Sequence, residues 1–165
     1  MARTDSFFIR ADVAVPATTF GQAAIDLGAY VDALGKSVLR IHNIQIQYGS
    51  AGSTPNVTPN SENNSGFQLT TQSQSDLVDL SNRSVVASGR MLTIGDAGAG
   101  NVAVISETLD AGPQNYTDGY LIAVEQMYLG VKQTADVLDK ISILLECTVE
   151  TMTQAAAMAL ALSQQ

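Results

Sequence analysis

A long alternating strand that runs straight into an apolar helix constrains this chain more than any other stretch. Ile141, Ile143, Leu145, Cys147 and Val149 alternate with Ser142, Leu144, Glu146, Thr148 and Glu150. Side chains alternate across a strand, so the pattern predicts a sheet with one face in a core and one mostly wet. Thr153 then stands where an N-cap opens a helix over Gln154–Ser163, and every residue from Ala155 to Leu162 is Ala, Met or Leu. These are strong helix formers, but the segment has no polar stripe. At 1.5 Å per residue it reaches only about 15 Å, half of a bilayer core of about 30 Å. Protein must cover it, either this chain's own sheet or a neighbouring subunit.

The remaining chain punctuates itself into short strands. Phe7, Ile9, Ala11, Val13 and Val15 alternate with Phe8, Arg10, Asp12 and Ala14 up to Pro16. A second strand is expected over Phe20–Ile25, followed by a helical turn, Leu27–Leu34, capped by Asp26; a strand continuing through Tyr30 is the alternative. Val38–Tyr48 changes phase: Leu39 and Ile41 share one face, Ile44, Ile46 and Tyr48 the other. That predicts a bulge or bend near His42–Asn43, as when a strand passes between sheets. Gly49–Ser65 is a loop by composition. Gly66–Ser75 is a polar strand with Phe67, Leu69 and Thr71 inward, and Ser75–Leu80 a helical turn. Arg83–Ser88 and Arg90–Ile94 flank a bulge or kink at Gly89. After the glycine-rich turn Gly95–Asn101 come a strand over Val102–Leu109, a loop over Asp110–Gly119 and a strand over Tyr120–Val131. The spacing is that of an all-β antiparallel sandwich, residues 1–153, carrying a C-terminal helix, residues 154–165.

Composition removes several function classes. Sixteen acids against eight scattered bases give a net charge of −8 over 165 residues. Phosphate binding needs clustered Lys and Arg to displace counterions, so direct nucleic-acid binding is not expected. The N-terminal residues lack the apolar run of a signal peptide, and no window reaches the roughly 18 apolar residues of a membrane span. Synthesis and assembly in the cytosol are the expectation.

No convincing nucleophile–base–acid set assembles from one histidine, His42, and one cysteine, Cys147, so an enzyme is not expected. His42 is read as a hydrogen-bonded residue at the bend. No His/Cys spacing suits a metal, and no cofactor is expected. Asp76 with Asp79, and Asp136 with Asp139, are the pairs that could ligate Ca²⁺ at subunit contacts. Their plainer role is as solvated loop acids, because the regular Ca²⁺-loop pattern is absent.

The stretches "YLIAVEQMYLGV" (Tyr120–Val131) and "ISILLECTVETM" (Ile141–Met152), with short strands and long end loops, carry a family likeness. The chain resembles the single jelly-roll coat proteins of small icosahedral viruses, whose paired late strands these stretches are similar to. The resemblance implies a single jelly roll, and a subunit that assembles with copies of itself and with other virion proteins. It implies location in the virion after synthesis in a host cytoplasm. The chain departs from many such coats in lacking a basic N-terminal arm, since Met1–Phe8 offers only Arg3. The expected subunit interface is the helix: Ala155, Met158, Ala159, Leu160 and Leu162. A carbohydrate-binding sandwich and a small hydrolase with loop carboxylates are the alternatives.

Overall fold

The computed structural model describes residues 4–32, 36–96, 103–109 and 114–165. Among the described residues nine strands form two antiparallel sheets, followed by one helix, α1, over Gln154–Ser163. Sheet A has the order β1-β9-β3-β7, from Phe7–Ala14, Lys140–Thr151, Ser37–Tyr48 and Gln114–Ile122. Sheet B has the order β2-β8-β4-β5-β6, from Phe20–Asp26, Gln126–Gln133, Ser61–Thr70, Val85–Asp96 and Ala103–Leu109. The pairing is nested: β1 lies on β9, β2 on β8, β3 on β7 and β4 on β5. One long hairpin, rolled so that alternate rungs fall in opposite sheets, gives this order, and it is the jelly-roll topology. β6 is an added rung on the edge of sheet B.

Period-2 patterning fixes which side chains face between the sheets. Ile141, Ile143, Leu145 and Cys147 of β9 are buried there with Leu39, Ile41 and Ile44 of β3 and Phe67, Leu69, Met127, Leu129 and Val131 of sheet B. The phase change in β3 is a bulge at His42, where register shifts against both β9 and β7 between Ile41 and Asn43. The strand nevertheless stays in sheet A. β7 is irregular at the same point, and Gly119 there has φ +75°. A Cβ on Gly119 would lie 2.5 Å from Cγ of Arg40, so both backbone and space demand glycine.

Several expected boundaries move. Leu27 O accepts bonds from Tyr30 N (2.8 Å) and Val31 N (2.9 Å), making one turn and no helix through residue 32. Residues 33–35 lie outside the described residues. Asp26 does cap that turn, accepting from Gly28 N at 2.9 Å. The polar loop ends at residue 60, because Ser61–Ser65 already pairs with Met91–Gly95. β5 runs straight through Gly89, opposite Phe67, and its irregularity sits where Leu69 and Thr70 face Ala87 and Val85. Gln114–Gly119 is strand instead of loop, and Gly95 and Asp96 end β5 instead of opening a turn. Residues 97–101 of the expected turn, residue 102 of the expected strand and residues 110–113 of the expected loop lie outside the described residues. Tyr120–Val131 is two strands broken at Ala123–Glu125, with the chain crossing from sheet A to sheet B. The late strands are also not paired with each other, since β9 pairs with β1 and β3.

Ser75–Leu80 is not a helical turn but part of a strap across the outer face of sheet B. Gln68 holds it, donating to Asp76 O (3.0 Å) and accepting from Val78 N (2.7 Å). Leu77 rests on Gly66, where an added Cβ would meet Leu77 Cδ1 at 2.8 Å. This cover explains why both faces of β4 are buried from Ser65 to Thr70.

Tyr116 of β7 crosses the sandwich and donates its hydroxyl to Val86 O of β5, the residue left over at the β5 irregularity. Burial first, and Tyr120 second, pushes the Tyr116 hydroxyl up to about 12. Burial first, and Glu146 second, pushes the Cys147 thiol up to about 12. Each group is neutral when protonated and holds its proton more tightly folded than unfolded. Their contribution is therefore complete below the ordinary values, about 8.5 for Cys and about 10 for Tyr, and is lost as pH rises towards 12. Denaturant midpoints should fall steeply from about pH 9 upward. Tyr116→Phe should lower stability at pH 7 by about 1–2 kcal/mol, since Val86 O loses its donor, and should flatten the alkaline fall. An equally steep alkaline fall in that variant would contradict this assignment.

Candidate functional site: the C-terminal helix face

α1 begins as its sequence predicts. Thr153 accepts a bond from Ala156 N at 3.3 Å, satisfying one of the orphan N–H groups of the first turn. The helix lies on the outer face of sheet A, where Ala157 and Ala161 pack with Val38, Ala123, Leu121 and Met152 in a small cluster separate from the main core. Gln164 locks its far end. Its side chain accepts from Ala123 N (2.9 Å) and donates to Leu121 O (2.6 Å), and its carbonyl accepts from Thr71 Oγ1 (2.8 Å).

Own-chain cover therefore uses the smallest side chains and leaves the larger ones. Met158 is 43% and Leu162 68% exposed, with Ala155 and Ala159 exposed beside them. Leu160 differs, being half-buried against the alanine cluster. The anchoring residues Ala157, Ala161 and Gln164 were missed in the sequence, although their spacing of four and three marks one helical face.

Next to this apolar cluster, the outer face of sheet A carries a polar group. Arg40 makes a two-pronged ion pair with Glu150, Nε to Oε1 and Nη2 to Oε2, both at 2.7 Å. A third bond reaches Asp118 O. Bonding to Glu150, partly opposed by burial, raises the guanidinium above its ordinary value. His42 lies beside this group, its Nε2 2.9 Å from Thr148 Oγ1. Cys147 points from the other face of β9 into the core, so the two do not meet as nucleophile and base.

The four candidate cation ligands lie in other settings. Asp76 pairs with Lys132 (2.6 Å), and that hydrogen bond holds its carboxyl below the usual range. Asp79 lies with Leu77, Val78 and Leu80 along a depression of about 510 Å³ between the strap and sheet B. Asp139 accepts from Ser50 Oγ and Ser50 N, chiefly the hydroxyl, and its carboxyl is likewise lowered. Asp136 is exposed in the loop before β9. Among the described residues no three His, Cys, Asp or Glu side chains converge as a metal site. Among them, too, no helix is long and apolar enough to cross a membrane.

The topology defines a single jelly-roll sandwich with a helix on its outer face. No family model and no curated protein matches the chain. Among solved structures it is similar to VP1 of Trichodysplasia spinulosa-associated polyomavirus, in a complex with sialylated precision glycooligomers. The likeness has a TM-score of 0.38 and 9% identity, covering 88% of this chain and 95% of that chain. The fold assignment rests on strand order and register, not on that likeness.

Proposed function

We propose that the chain is a structural subunit that assembles with copies of itself, most specifically a capsid or shell protein of a virus. The observation that carries this is α1, fastened to its own sheet through Ala157, Ala161 and Gln164 while Met158 and Leu162 face outward. A neighbouring subunit would cover these side chains, and burying the part of Met158 and Leu162 still exposed, 43% and 68%, would contribute about 1–2 kcal/mol each. Multiplied around a closed assembly, that decides whether subunits associate. On this reading the protein resides in the virion, its partners are its own copies and other virion proteins, and genome binding falls to another component. Ca²⁺ at subunit contacts is a secondary element of the same proposal, with Asp79 and Asp136 the more available carboxylates.

The test replaces Met158 and Leu162 together by glutamate. Wild type is expected to sediment as large particles visible in negative stain. The double variant should keep the wild-type circular dichroism spectrum yet form no particles. A wild type that stays monomeric at millimolar concentration, or a variant that assembles normally, overturns the proposal.

A further inference from the structure

β1 is the outer strand of sheet A, at the edge away from α1. The bond from Val15 N to Asp139 O (2.9 Å) continues its register with β9, so odd-numbered residues direct their backbone groups to β9. By alternation, those of Phe8, Arg10 and Asp12 point to the edge that no described strand pairs with, whereas Ala14 O turns towards Gly21 of β2. The side chains show the same incompleteness. Phe7, Ile9, Ala11 and Val13 pack on the core but stay only half-buried, and Phe8 is 52% exposed. Arg10 forms no ion pair within the described chain, and Asp12 approaches only Lys140, at 3.9 Å.

We propose that two copies join edge to edge through β1, antiparallel about a two-fold axis at Ala11, so that their two sheets A become one. In this register Arg10 faces Asp12 of the partner subunit and Asp12 faces Arg10 of the partner subunit. Between the sheets, Ile9 meets Val13 of the partner subunit. The strand's charges select this alignment. A shift of two residues one way sets Arg10 against Arg10, and the other way sets Asp12 against Asp12. A shift of one residue turns the apolar face of one copy onto the wet side of the other. Opposite charges directly across strands stabilise, like charges destabilise, and a two-fold contact uses each pair twice. The same Arg10 and Asp12 discourage pairing with unrelated edges, which an unguarded β1 would invite.

This inference rests on the self-assembly reading but uses a different surface, so the two can fail separately. On the Met158→Glu, Leu162→Glu background, sedimentation should show a dimer. Arg10→Asp alone, or Asp12→Arg alone, should raise its dissociation constant at least about tenfold, and the two together should restore it. Amide exchange at Arg10 and Asp12 should slow as protein concentration rises. A monomeric background protein, or a dimer indifferent to each single reversal, overturns the β1 contact and leaves the helix proposal standing. Wild type that stops at the dimer overturns the helix proposal instead.

Discussion

Gln133→Leu should cost this protein about 4 kcal/mol or more, enough to leave it poorly folded at 37 °C. Gln133 ends β8 with its side chain 1% exposed, and all four of its hydrogen-bonding positions are used. Its amide donates to Val15 O (3.2 Å) and Leu138 O (3.0 Å), and its oxygen accepts from Val137 N (3.0 Å) and Leu138 N (2.8 Å). The residue thus fastens the end of β1 and the approach to β9 onto sheet B. Leucine fills similar volume but strands Val15 O, Leu138 O and Leu138 N, each costing about 1–3 kcal/mol in part relieved by relaxation, while Val137 N keeps its bond to Ala135 O (2.9 Å). Urea titration measures the loss. A change below about 1 kcal/mol would mean that water replaces the amide without penalty.

Arg40→Met is the second large effect. Glu150 is 7% exposed as a side chain, and its guanidinium partner 17%, so removing Arg40 leaves a buried carboxylate with its strongest partner gone. Breaking such a pair from one side costs roughly 3–5 kcal/mol, whereas replacing both partners by apolar residues is often close to neutral. Arg40→Met with Glu150→Leu should therefore recover most of what Arg40→Met loses. If the double variant is no better than the single, the bond to Asp118 O and the fit against Gly119 carry the stability instead.

The sequence shows its fold where patterning and local chemistry act together. The alternation in β1 and β9, the phase change at His42 and the Thr153 cap are local signals, and the structure has a strand, a bulge and a helix start at each. Tyr120–Val131 deceived because alternation continues through the break at Ala123–Glu125, while the side chains change sheets. Ser61–Ser65 looked like loop because its polar residues are those of loops, yet Asn63 and Ser65 are buried strand residues. The strap over sheet B was invisible because Gln68, Gly66 and Leu77 acquire their roles only from one another. At the candidate site, the apolar helix was legible, but not which of its sides the chain itself would cover. Alanines at positions 157 and 161 decide that, and only the placement of Val38 and Ala123 reveals it.

The nested pairing also dictates a schedule. Phe7 pairs with Cys147, a separation of 140 residues, whereas β4 and β5 are neighbours in sequence. Closing so long a span carries an entropy cost that grows as the logarithm of its length, and non-local pairings of this kind slow folding. On the ribosome, β1 is made well before β9 and must wait for it before it can join its sheet. Until β9 arrives both of its edges stand open, and the alternating charges at Arg10 and Asp12 guard them against stray pairing.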